Sequence, residues 1–536
     1  MPMKRLKTKK TATKKAPAKK APAEKTEAKT TAAQVDVTVR MFCQGLGDCF
    51  LITIPQADVR PYSILIDFGV ALGTPSADII MKQTAVKIAE LTQGTIDLLI
   101  LSHEHWDHVS GYVLAADKLK NMKKTKKLTF KHLWVAWTEK DGDPLADVLR
   151  KEFNKAKTAL TRAFDSAAGL KGVDDTSVRR LQALNGVLAF YGLGAANSGG
   201  SVADAMKLPH ELVDEANNKA AVDYLRPGTC VALPGAIGAA ASIQAFVLGP
   251  PYDRAKLRRL NPSTKGDEAY EKTKGDLPGV AFNWSWMASA FGEKPGLAPL
   301  VDDADKVVDA SLPFDEEVGI SINAAKGDPR FASYYSDAPA DAVRRIDNDW
   351  LWAGAQRLAL KMDNYTNNTC LVLAFELPKS KQVLLFPADA QAGNWLSWHD
   401  QKYDTKDGRQ LSAADLLAKT ILYKVGHHGS HNATLKKQGL ELMTHPDLVA
   451  MLPVEADGVA RLRYGQMPLQ SLMKALREKT DGRILRIDDT WTNNKAPGTW
   501  KKQGLSASLS SEQITVGPKG KTSKRPLYME LTLRDE

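Results

Sequence analysis

IDLLILSHEHWDH, residues 96–108, is the stretch that decides the fold. Its first six residues are apolar apart from one aspartate and predict a buried strand that ends in a turn. In that turn His103 and His105 are two residues apart, so their side chains are expected to point the same way. Asp107 and His108 follow where the backbone turns again. The spacing predicts two imidazoles facing one metal ion, and a carboxylate with a third imidazole facing a second. Zn²⁺, Mn²⁺ and Fe²⁺ accept these ligands, and catalytic sites leave one position open for water.

A second histidine-rich segment, HHGSH at residues 427–431, follows a predicted strand from Ile421 to Val425. The two segments hold six of the ten histidines of the chain, which favours a shared metal site over scattered surface histidines. The spacing alone does not decide which of His427 and His428 binds a metal. We favour His428 as the ligand, and His427 as a phosphate contact or proton donor.

The positive charge of the chain lies mainly at its N-terminus. Residues 1–30 carry ten Lys and one Arg against two Glu, a net charge of +9, which leaves +2 of the total +11 for the rest of the 536 residues. The Lys/Ala/Pro-rich tail, residues 1–33, has nothing to bury and is expected to be disordered. It could bind the phosphate backbone of a nucleic acid in a salt-dependent way. The alternative is that the tail only keeps the protein in solution.

The remaining sequence predicts a core that is interrupted twice. We expect the two halves of the core at residues 34–139 and 358–536, with a return to the core at 225–251. Helical periodicity predicts a helical insertion over 140–224, and a stretch rich in Asp, Lys, Trp and Pro predicts an irregular insertion over 252–357. We see no membrane helix and no secretory signal, and therefore expect a cytoplasmic protein without membrane contact.

The pattern His-x-His-x-Asp-His resembles the signature of the metallo-β-lactamase superfamily. The resemblance implies an α+β fold, an αββα sandwich that here has helical and irregular insertions, and a metal-dependent hydrolase with two divalent metal ions, Zn or Mn. Asp389, which follows a predicted strand, matches the carboxylate that bridges the metals in this superfamily, although Ala388 stands where a glycine is common. The ligands that the resemblance implies are His103, His105, Asp107, His108, Asp389 and one of His427 and His428.

A closer resemblance is to the soluble metallo-β-lactamase domain of the ComEC family of DNA-uptake proteins. Residues 44–49 resemble its Gly-Gln-Gly-Asp-Ser opening, residues 367–370 its Asn-x-Ser, and residues 424–430 its Lys-Val-x-His-His-Gly-Ser run. The resemblance covers about residues 36–130, 225–251 and 360–490. It implies supporting roles beside the metal ligands for Asp67, Asp48 and Asn368.

One ligand of the superfamily pattern is missing. Many members supply a third histidine to the first metal, and no histidine lies in a matching strand here. His210, in the predicted helical insertion, is expected to be a surface or capping residue. The first metal is therefore expected to have only His103, His105 and Asp389 from the protein, with Asn368 approaching the vacant position.

The predicted activity is that of a phosphodiesterase, specifically a nuclease acting on DNA through a dinuclear metal-activated hydroxide. The residues expected to take part in catalysis are Asp107, His427, Ser430 and Lys424, although Lys424 could equally be a strand-end lysine that reaches solvent. A small-molecule hydrolase acting on a phosphoester, cyclic nucleotide, lactone or thioester is the first alternative. The second is a binding protein with a vestigial metal site.

Overall fold

The fold is described from a computed structural model. The residues that the structure describes are 35–56, 59–155, 201–213, 221–259, 268–270, 327–330, 362, 365–462, 467–488, 495–499, 504–516 and 523–535. The tail predicted to be disordered lies outside these residues. So do the middle of the predicted helical insertion and most of the predicted irregular insertion.

The first sheet has eight strands within the described residues. In spatial order they are β16 (Leu505–Leu509), β19 (Tyr528–Asp535), β1 (Val35–Phe42), β2 (Phe50–Gln56), β3 (Val59–Ile66), β4 (Thr95–Ile100), β5 (Thr129–Ala136) and β6 (Val222–Leu225). Pairing is antiparallel from β16 to β3 and parallel from β3 to β6. In β1, Val37, Val39 and Met41 are buried while Thr38 and Arg40 are partly exposed, so one face of this strand points into the core.

The second sheet has seven strands within the described residues. In spatial order they are β15 (Ile484–Arg486), β14 (Val449–Leu452), β13 (Thr420–Lys424), β10 (Val383–Phe386), β9 (Val372–Glu376), β8 (Gln244–Gly249) and β7 (Cys230–Ala232). The half from β15 to β10 is parallel, and the half from β10 to β7 is antiparallel. Two separate strand pairs are β11 (Lys402–Asp404) with β12 (Gln410–Ser412) and β17 (Gln513–Val516) with β18 (Ser523–Pro526).

The described helices are short, apart from three of ten or more residues. They are α1 (Ala77–Leu91), α2 (Trp106–Val109), α3 (Gly111–Leu114), α4 (Ala116–Lys124), α5 (Val202–Val213), α6 (Gly238–Ala241), α7 (Arg254–Arg258), α8 (Ala392–Trp398), α9 (Ala413–Ala418), α10 (Ala456–Leu462) and α11 (Gln470–Lys479). Short 3₁₀ turns lie at Trp137–Glu139, Gly426–Gly429, Leu440–Leu442 and Pro497–Thr499. Among the described residues, no helix has both the length and the apolar character needed to cross a membrane.

The two sheets pack face to face, with helices on their outer faces. Phe386 of β10 meets Phe50 of β2 across the interior with ring centroids 5.6 Å apart, and burial of each such ring stabilises the fold by about 1.5–3 kcal/mol. The preceding residue in β10, Leu385, points to the other side of the sheet. There it belongs to the same buried cluster as Trp395 and Trp398 of α8. These layers form the predicted αββα sandwich, and the predicted α+β fold class is confirmed.

Strand pairing resumes slightly earlier than the sequence predicted. Residues 140–224 were expected to be a helical insertion, and α5 lies in this range. However, Val222–Leu225 forms β6, which pairs with β5 and extends the first sheet. The first residues of β6 therefore belong to the core, because their backbone groups complete the parallel ladder at its edge.

Candidate metal centre

Four of the predicted ligands lie just beyond the end of β4. The strand ends at Ile100, and His103 and His105 follow in the turn. Asp107 and His108 lie on α2, the helical turn that comes next. All four side chains are at most 3% exposed. The apolar strand thus ends in a short polar segment that the fold holds in its interior.

Backbone contacts hold α2 against the end of β3. The amide of Phe68 donates to the carbonyl of His108 over 2.8 Å, and the amide of Asp48 donates to the carbonyl of Asp107 over 3.0 Å. A Cβ atom on Gly69 would overlap the carbonyl of Asp107, so a glycine is required for this close approach. The position of both α2 ligands is therefore fixed by main-chain packing as well as by their own side chains.

The remaining candidate ligands come from the second sheet. Asp389 follows β10, and His427 and His428 follow β13. Because β10 and β13 are parallel neighbours, their carboxyl ends meet at one edge of the sheet. Ala388, His427 and His428 have φ angles of 50°, 43° and 52°. The left-handed region costs about 1–2 kcal/mol for a residue with a Cβ atom, so strained backbone surrounds these ligands.

Among the described residues, three groups of side chains lie close enough together to hold metal ions, and the third, Asp48, Asp67 and His108, shares His108 with the second. The first group is His103, His105 and Asp389, and the second group is Asp107, His108, Asp389 and His428; within each group the ligand atoms lie within 4.8 Å of one another. Asp389 belongs to both the first and the second group. Its Oδ2 lies 3.1 Å from Nε2 of His108, and Nε2 of His428 lies 2.9 Å from Oδ2 of Asp107. The fold thus brings together side chains from two distant parts of the sequence.

Three of the imidazoles are held through their Nδ1 atoms. The contacts are His103 Nδ1 to Ser102 Oγ at 3.0 Å, His108 Nδ1 to Asp67 Oδ2 at 2.8 Å, and His428 Nδ1 to the Pro453 carbonyl at 2.6 Å. A carboxylate or carbonyl oxygen can only accept, so His108 and His428 carry a hydrogen on Nδ1. Nε2 of the neutral ring then keeps its lone pair, which is the tautomer that a metal ion requires.

The donor set fits divalent cations. Nε2 of His103 and Oδ1 of Asp107 are buried, and neither makes a hydrogen bond within the described part of the chain. A buried polar atom without a partner costs about 1–3 kcal/mol. Within the described part of the chain, the centre contains the buried lysine Lys424 and four buried carboxylates, which are Asp48, Asp67, Asp107 and Asp389. Since buried charges must be balanced, this excess of negative charge calls for cations.

Two of the imidazoles are in the neutral state that suits metal binding. Burial lowers the pKa of His105 to about 3 and the pKa of His103 well below its usual value, so both rings are neutral. Burial acts to raise the pKa of Asp107, but the nearby His108 and His428 outweigh it and the pKa is lowered to about 2. For His108, burial acts to lower the pKa, but the carboxylates around it, Asp389 first, raise it well above the usual value. A cation would take over this balancing role.

Lys424 lies beneath the two ligand groups and not at the surface. Its Nζ is 2.5 Å from Oδ2 of Asp48, 3.3 Å from Oδ1 of Asp389 and 2.9 Å from the carbonyl of Ala388. Burial acts to lower the pKa of Lys424, but Asp48 and Asp389 together raise it above its usual value. The prediction that Lys424 reaches solvent is therefore wrong, because the side chain is buried and three acceptors occupy its three N–H groups, while a part in catalysis stays a prediction. It holds Asp389 in place.

The two adjacent histidines take different positions. His428 belongs to the second ligand group, whereas His427 belongs to no such group among the described residues. Nε2 of His427 lies 3.9 Å from Oδ2 of Asp389, and its Nδ1 lies 3.0 Å from Oγ of Ser430. The side chain of His427 is 15% exposed against 2% for His428. His427 is thus the more exposed of the two side chains.

Asn368 does not approach the first ligand group as we expected. Its Nδ2 donates to the carbonyls of Leu257 and Arg259, over 3.1 and 2.9 Å. Its Oδ1 accepts from the amides of Gln391 and Asn394, both over 3.2 Å. These backbone groups use the amide completely, so Asn368 supports the loop that follows Asp389 and is not free to meet a metal.

Ser102 is a supporting residue that the sequence analysis missed. Its amide donates to Oδ1 of Asp67 over 2.8 Å, and its Oγ lies 2.6 Å from Oδ2 of the same residue. The hydroxyl also contacts Nδ1 of His103. Asp67 and Ser102 thus fix the turn that begins the ligand segment. A small hydroxyl residue immediately before the first histidine was the available signal.

Comparison with known proteins agrees with this geometry. A family model described as the metallo-beta-lactamase superfamily matches residues 47–175. The chain therefore carries a metallo-β-lactamase domain, and the resemblance carried by the His-x-His-x-Asp-His pattern is confirmed at this level. Proteins of the superfamily are largely metal-dependent hydrolases. No curated protein and no solved structure matches the chain, and the closer resemblance to the ComEC domain stays a prediction.

Proposed function

We propose that the chain is a metal-dependent phosphodiesterase, specifically a nuclease that acts on DNA with two divalent ions, Zn or Mn. The observation that carries the proposal is that two ligand groups share Asp389. Two ions joined by one carboxylate are an arrangement used for phosphoryl transfer, because they can stabilise both the attacking and the leaving oxygen. With ions bound, the centre would supply an activated water, and no nucleophilic side chain is needed.

The side chains of the centre would have three functions: to bind the ions, to position the ligands and to contact the substrate. The first and second ligand groups would hold the ions, while Lys424 holds Asp389 in place and Asp67 holds His108 in place. His427, at the rim, is placed to contact a phosphoryl oxygen, and Ser430 orients its ring through Nδ1. Burial lowers the pKa of His427, so its ring is neutral at pH 7. The single hydroxyl hydrogen of Ser430 can go either to Nδ1 of His427 or to Oδ1 of Asn432, so these contacts leave the tautomer of His427 open. The tautomer with its hydrogen on Nε2 is the one that would donate a hydrogen bond to a phosphoryl oxygen.

The N-terminal tail supports nucleic acid as the substrate class. Residues 1–30 carry a net charge of +9, whereas the rest of the chain is close to neutral. An array of lysines would neutralise phosphates and release their counterions, so the affinity for long DNA would fall steeply with salt. The tail would act as a tether that concentrates DNA near the centre, without taking part in the chemistry.

A small-molecule hydrolase is the second candidate, and one observation favours it. Among the described residues, a cavity of about 110 Å³ adjoins the ligand segment at Glu104 and is lined by Thr138, Arg150 and Phe153 among others. This volume is too small for a stretch of nucleotide chain. It would suit part of a phosphoester or a lactone instead.

The experiment is a cleavage screen with protein loaded with Mn²⁺ or Zn²⁺. The substrates are plasmid DNA, single-stranded DNA, RNA, bis-p-nitrophenyl phosphate and a simple lactone. We expect cleavage of DNA, and we expect Asp389→Ala to reduce it by more than about 100-fold while also reducing the metal bound per chain. The matched control is Asp117→Ala, which removes an exposed carboxylate on α4 and should leave the rate unchanged. Hydrolysis of the lactone without cleavage of any nucleic acid would sink the nuclease proposal.

Deletion of residues 1–30 tests the tail separately. The truncated protein should cleave a short oligonucleotide at the rate of the full chain. Its affinity for long DNA should fall, and the slope of log affinity against log salt should become flatter. An unchanged affinity and slope would show that the tail only aids solubility.

A further inference from the structure

Asn367 is a buried polar residue that no role assigned so far explains. Its side chain is completely buried, and neither Oδ1 nor Nδ2 has a hydrogen-bond partner among the described residues. Each buried polar group without a partner costs about 1–3 kcal/mol of stability, and an unpaired side-chain amide has two such groups. An interior amide without partners indicates a ligand, an ion or a water that the polypeptide alone does not supply.

Asn367 lies in a tight turn directly before β9. The amide of Cys370 donates to the carbonyl of Asn367, and the amide of Thr369 donates to the carbonyl of Thr366. The next residue, Leu371, donates its amide to the carbonyl of Ser102 over 2.8 Å. The turn is thereby tied to the residue that immediately precedes His103, the first ligand of the first group.

The same turn is also tied to the segment that carries Asp389. The side chain of Asn368, in this turn, accepts from the amides of Gln391 and Asn394, which closely follow Asp389. The turn therefore lies between the two segments that supply the first ligand group. The side-chain amide of Asn368 is fully hydrogen-bonded to backbone groups. The side-chain amide of its neighbour Asn367 has no hydrogen-bond partner among the described residues.

We propose that the side-chain oxygen of Asn367 is the fourth protein ligand of the first group, at the position for which this chain has no third histidine. The inference rests on the proposed metal-dependent function, but not on its substrate. It explains both the buried, unpaired amide and the incomplete ligand set of His103, His105 and Asp389. An amide oxygen is a harder ligand than an imidazole nitrogen, so the first position should bind Mn²⁺ more readily, relative to Zn²⁺, than a three-histidine position would.

The test is calorimetric titration of metal-free full-length protein with Mn²⁺ and with Zn²⁺, without any substrate. Wild-type protein should bind two ions per chain. Asn367→Ala should weaken Mn²⁺ binding at one site by at least about 10-fold and leave the other site unchanged. Asn367→His should restore two-site binding and shift the preference of that site toward Zn²⁺. The matched control is Thr366→Val, which removes an adjacent buried and unpaired hydroxyl from the same turn and should change neither site.

Each other outcome has a defined meaning. If Asn367→Ala binds both ions with wild-type affinity, Asn367 is not a ligand and the inference is overturned. If Asn367→Ala does not fold, Asn367→Asp replaces it, because it keeps the shape and offers a carboxylate oxygen. That variant should bind Mn²⁺ at least as tightly as wild type, and loss of the site would overturn the inference. Wild-type protein that binds neither ion would overturn the metal-dependent function, and the inference with it.

Discussion

Nδ1 of His108 lies 2.8 Å from Oδ2 of Asp67, although 41 residues separate the two in sequence. The same carboxylate accepts from the amide and the hydroxyl of Ser102. Asp67 therefore fixes the end of β4 and one imidazole at the same time. The carboxylate is 1% exposed, so water does not compete for these contacts.

Replacement of Asp67 by alanine should weaken metal binding in the second group. Without its acceptor, His108 loses both its ring orientation and its tautomer, and loss of such a supporting carboxylate typically costs 10–100-fold in metal affinity. Zn²⁺ titration of Asp67→Ala should show a loss of about this size at one site. Asp67→Asn keeps one acceptor oxygen and should lie between Asp67→Ala and wild type. Equal affinities for all three proteins would contradict the supporting role.

Replacement of Lys424 by methionine should destabilise the fold. The change leaves Asp48 and Asp389 buried without their ammonium partner, and removal of one member of a buried ion pair costs about 3–5 kcal/mol. Urea unfolding of the metal-free protein measures the free energy of unfolding. The double variant Asp48→Asn with Lys424→Met removes one of the stranded charges and should recover part of the loss. Strictly additive effects of the two changes would refute the pairing.

Replacement of Ala388 by glycine should stabilise the protein slightly. Ala388 has a φ of 50°, a conformation that costs a residue with a Cβ atom about 1–2 kcal/mol. Glycine removes this strain but adds about 0.5–1 kcal/mol of chain entropy to the unfolded state. The expected gain is up to about 1 kcal/mol, measured as a higher urea midpoint at an unchanged slope. A control substitution, Ala390→Gly, lies nearby at a residue without positive φ and should destabilise.

Acid should weaken the fold through Asp97. Its carboxylate forms two hydrogen bonds with Arg60, at 2.5 and 2.6 Å, and accepts from the amide of Ser63. Burial acts to raise the pKa of Asp97, but these bonds outweigh it and lower the pKa below its usual value. Because the folded pKa lies below the unfolded value of about 3.9, the stabilisation is present above that value and is lost as the pH falls through the folded pKa.

The variant Asp97→Asn measures this contribution. At pH 7 it should be less stable than wild type by about 2 kcal/mol, since hydrogen bonds to a charged group are lost. The gap should narrow in urea unfolding at pH 3. A gap that stays constant between pH 7 and pH 3 would show that the charge of Asp97 contributes nothing.

Several strands could be predicted closely because their sequence is apolar and bounded by polar turns. The run Ile96 to Leu101 corresponds to β4 at Thr95–Ile100, and Ile421 to Val425 corresponds to β13 at Thr420–Lys424. The histidine motifs could be located for the same reason, since each follows such a strand directly. In each sheet of the sandwich, at least one strand could therefore be predicted from its apolar sequence.

Other elements carry no such local pattern. β5 at Thr129–Ala136 contains Lys131 and His132 and was not predicted, and its burial follows from pairing with β4 and β6 on its two sides. The short helix α8 was also missed, because seven residues are too few to show a helical period. These elements are defined by tertiary contacts that a single sequence does not display.

The supporting residues of the centre illustrate the same limit. Lys424 lies on a predicted strand, but its direction depends on Asp48, which is more than 370 residues away in sequence. The neighbours Asn367 and Asn368 look equivalent in sequence. Only the backbone groups that surround Asn368 show that one amide is used and that the other is not. Ligand types could thus be predicted from spacing, whereas their supports required the fold.

The pairing of β1 with β19 has a consequence for how the protein is made. Val35 of β1 lies opposite Asp535 of β19, so the partner strand of β1 leaves the ribosome about 500 residues after β1 itself. Until then β1 has one unpaired side, and an open strand edge is a template for pairing with other chains. Contacts between such distant segments also slow folding, because a very long loop must close. A truncated product that lacks β19 would therefore be a candidate for aggregation and for removal by chaperones and proteases in the cell.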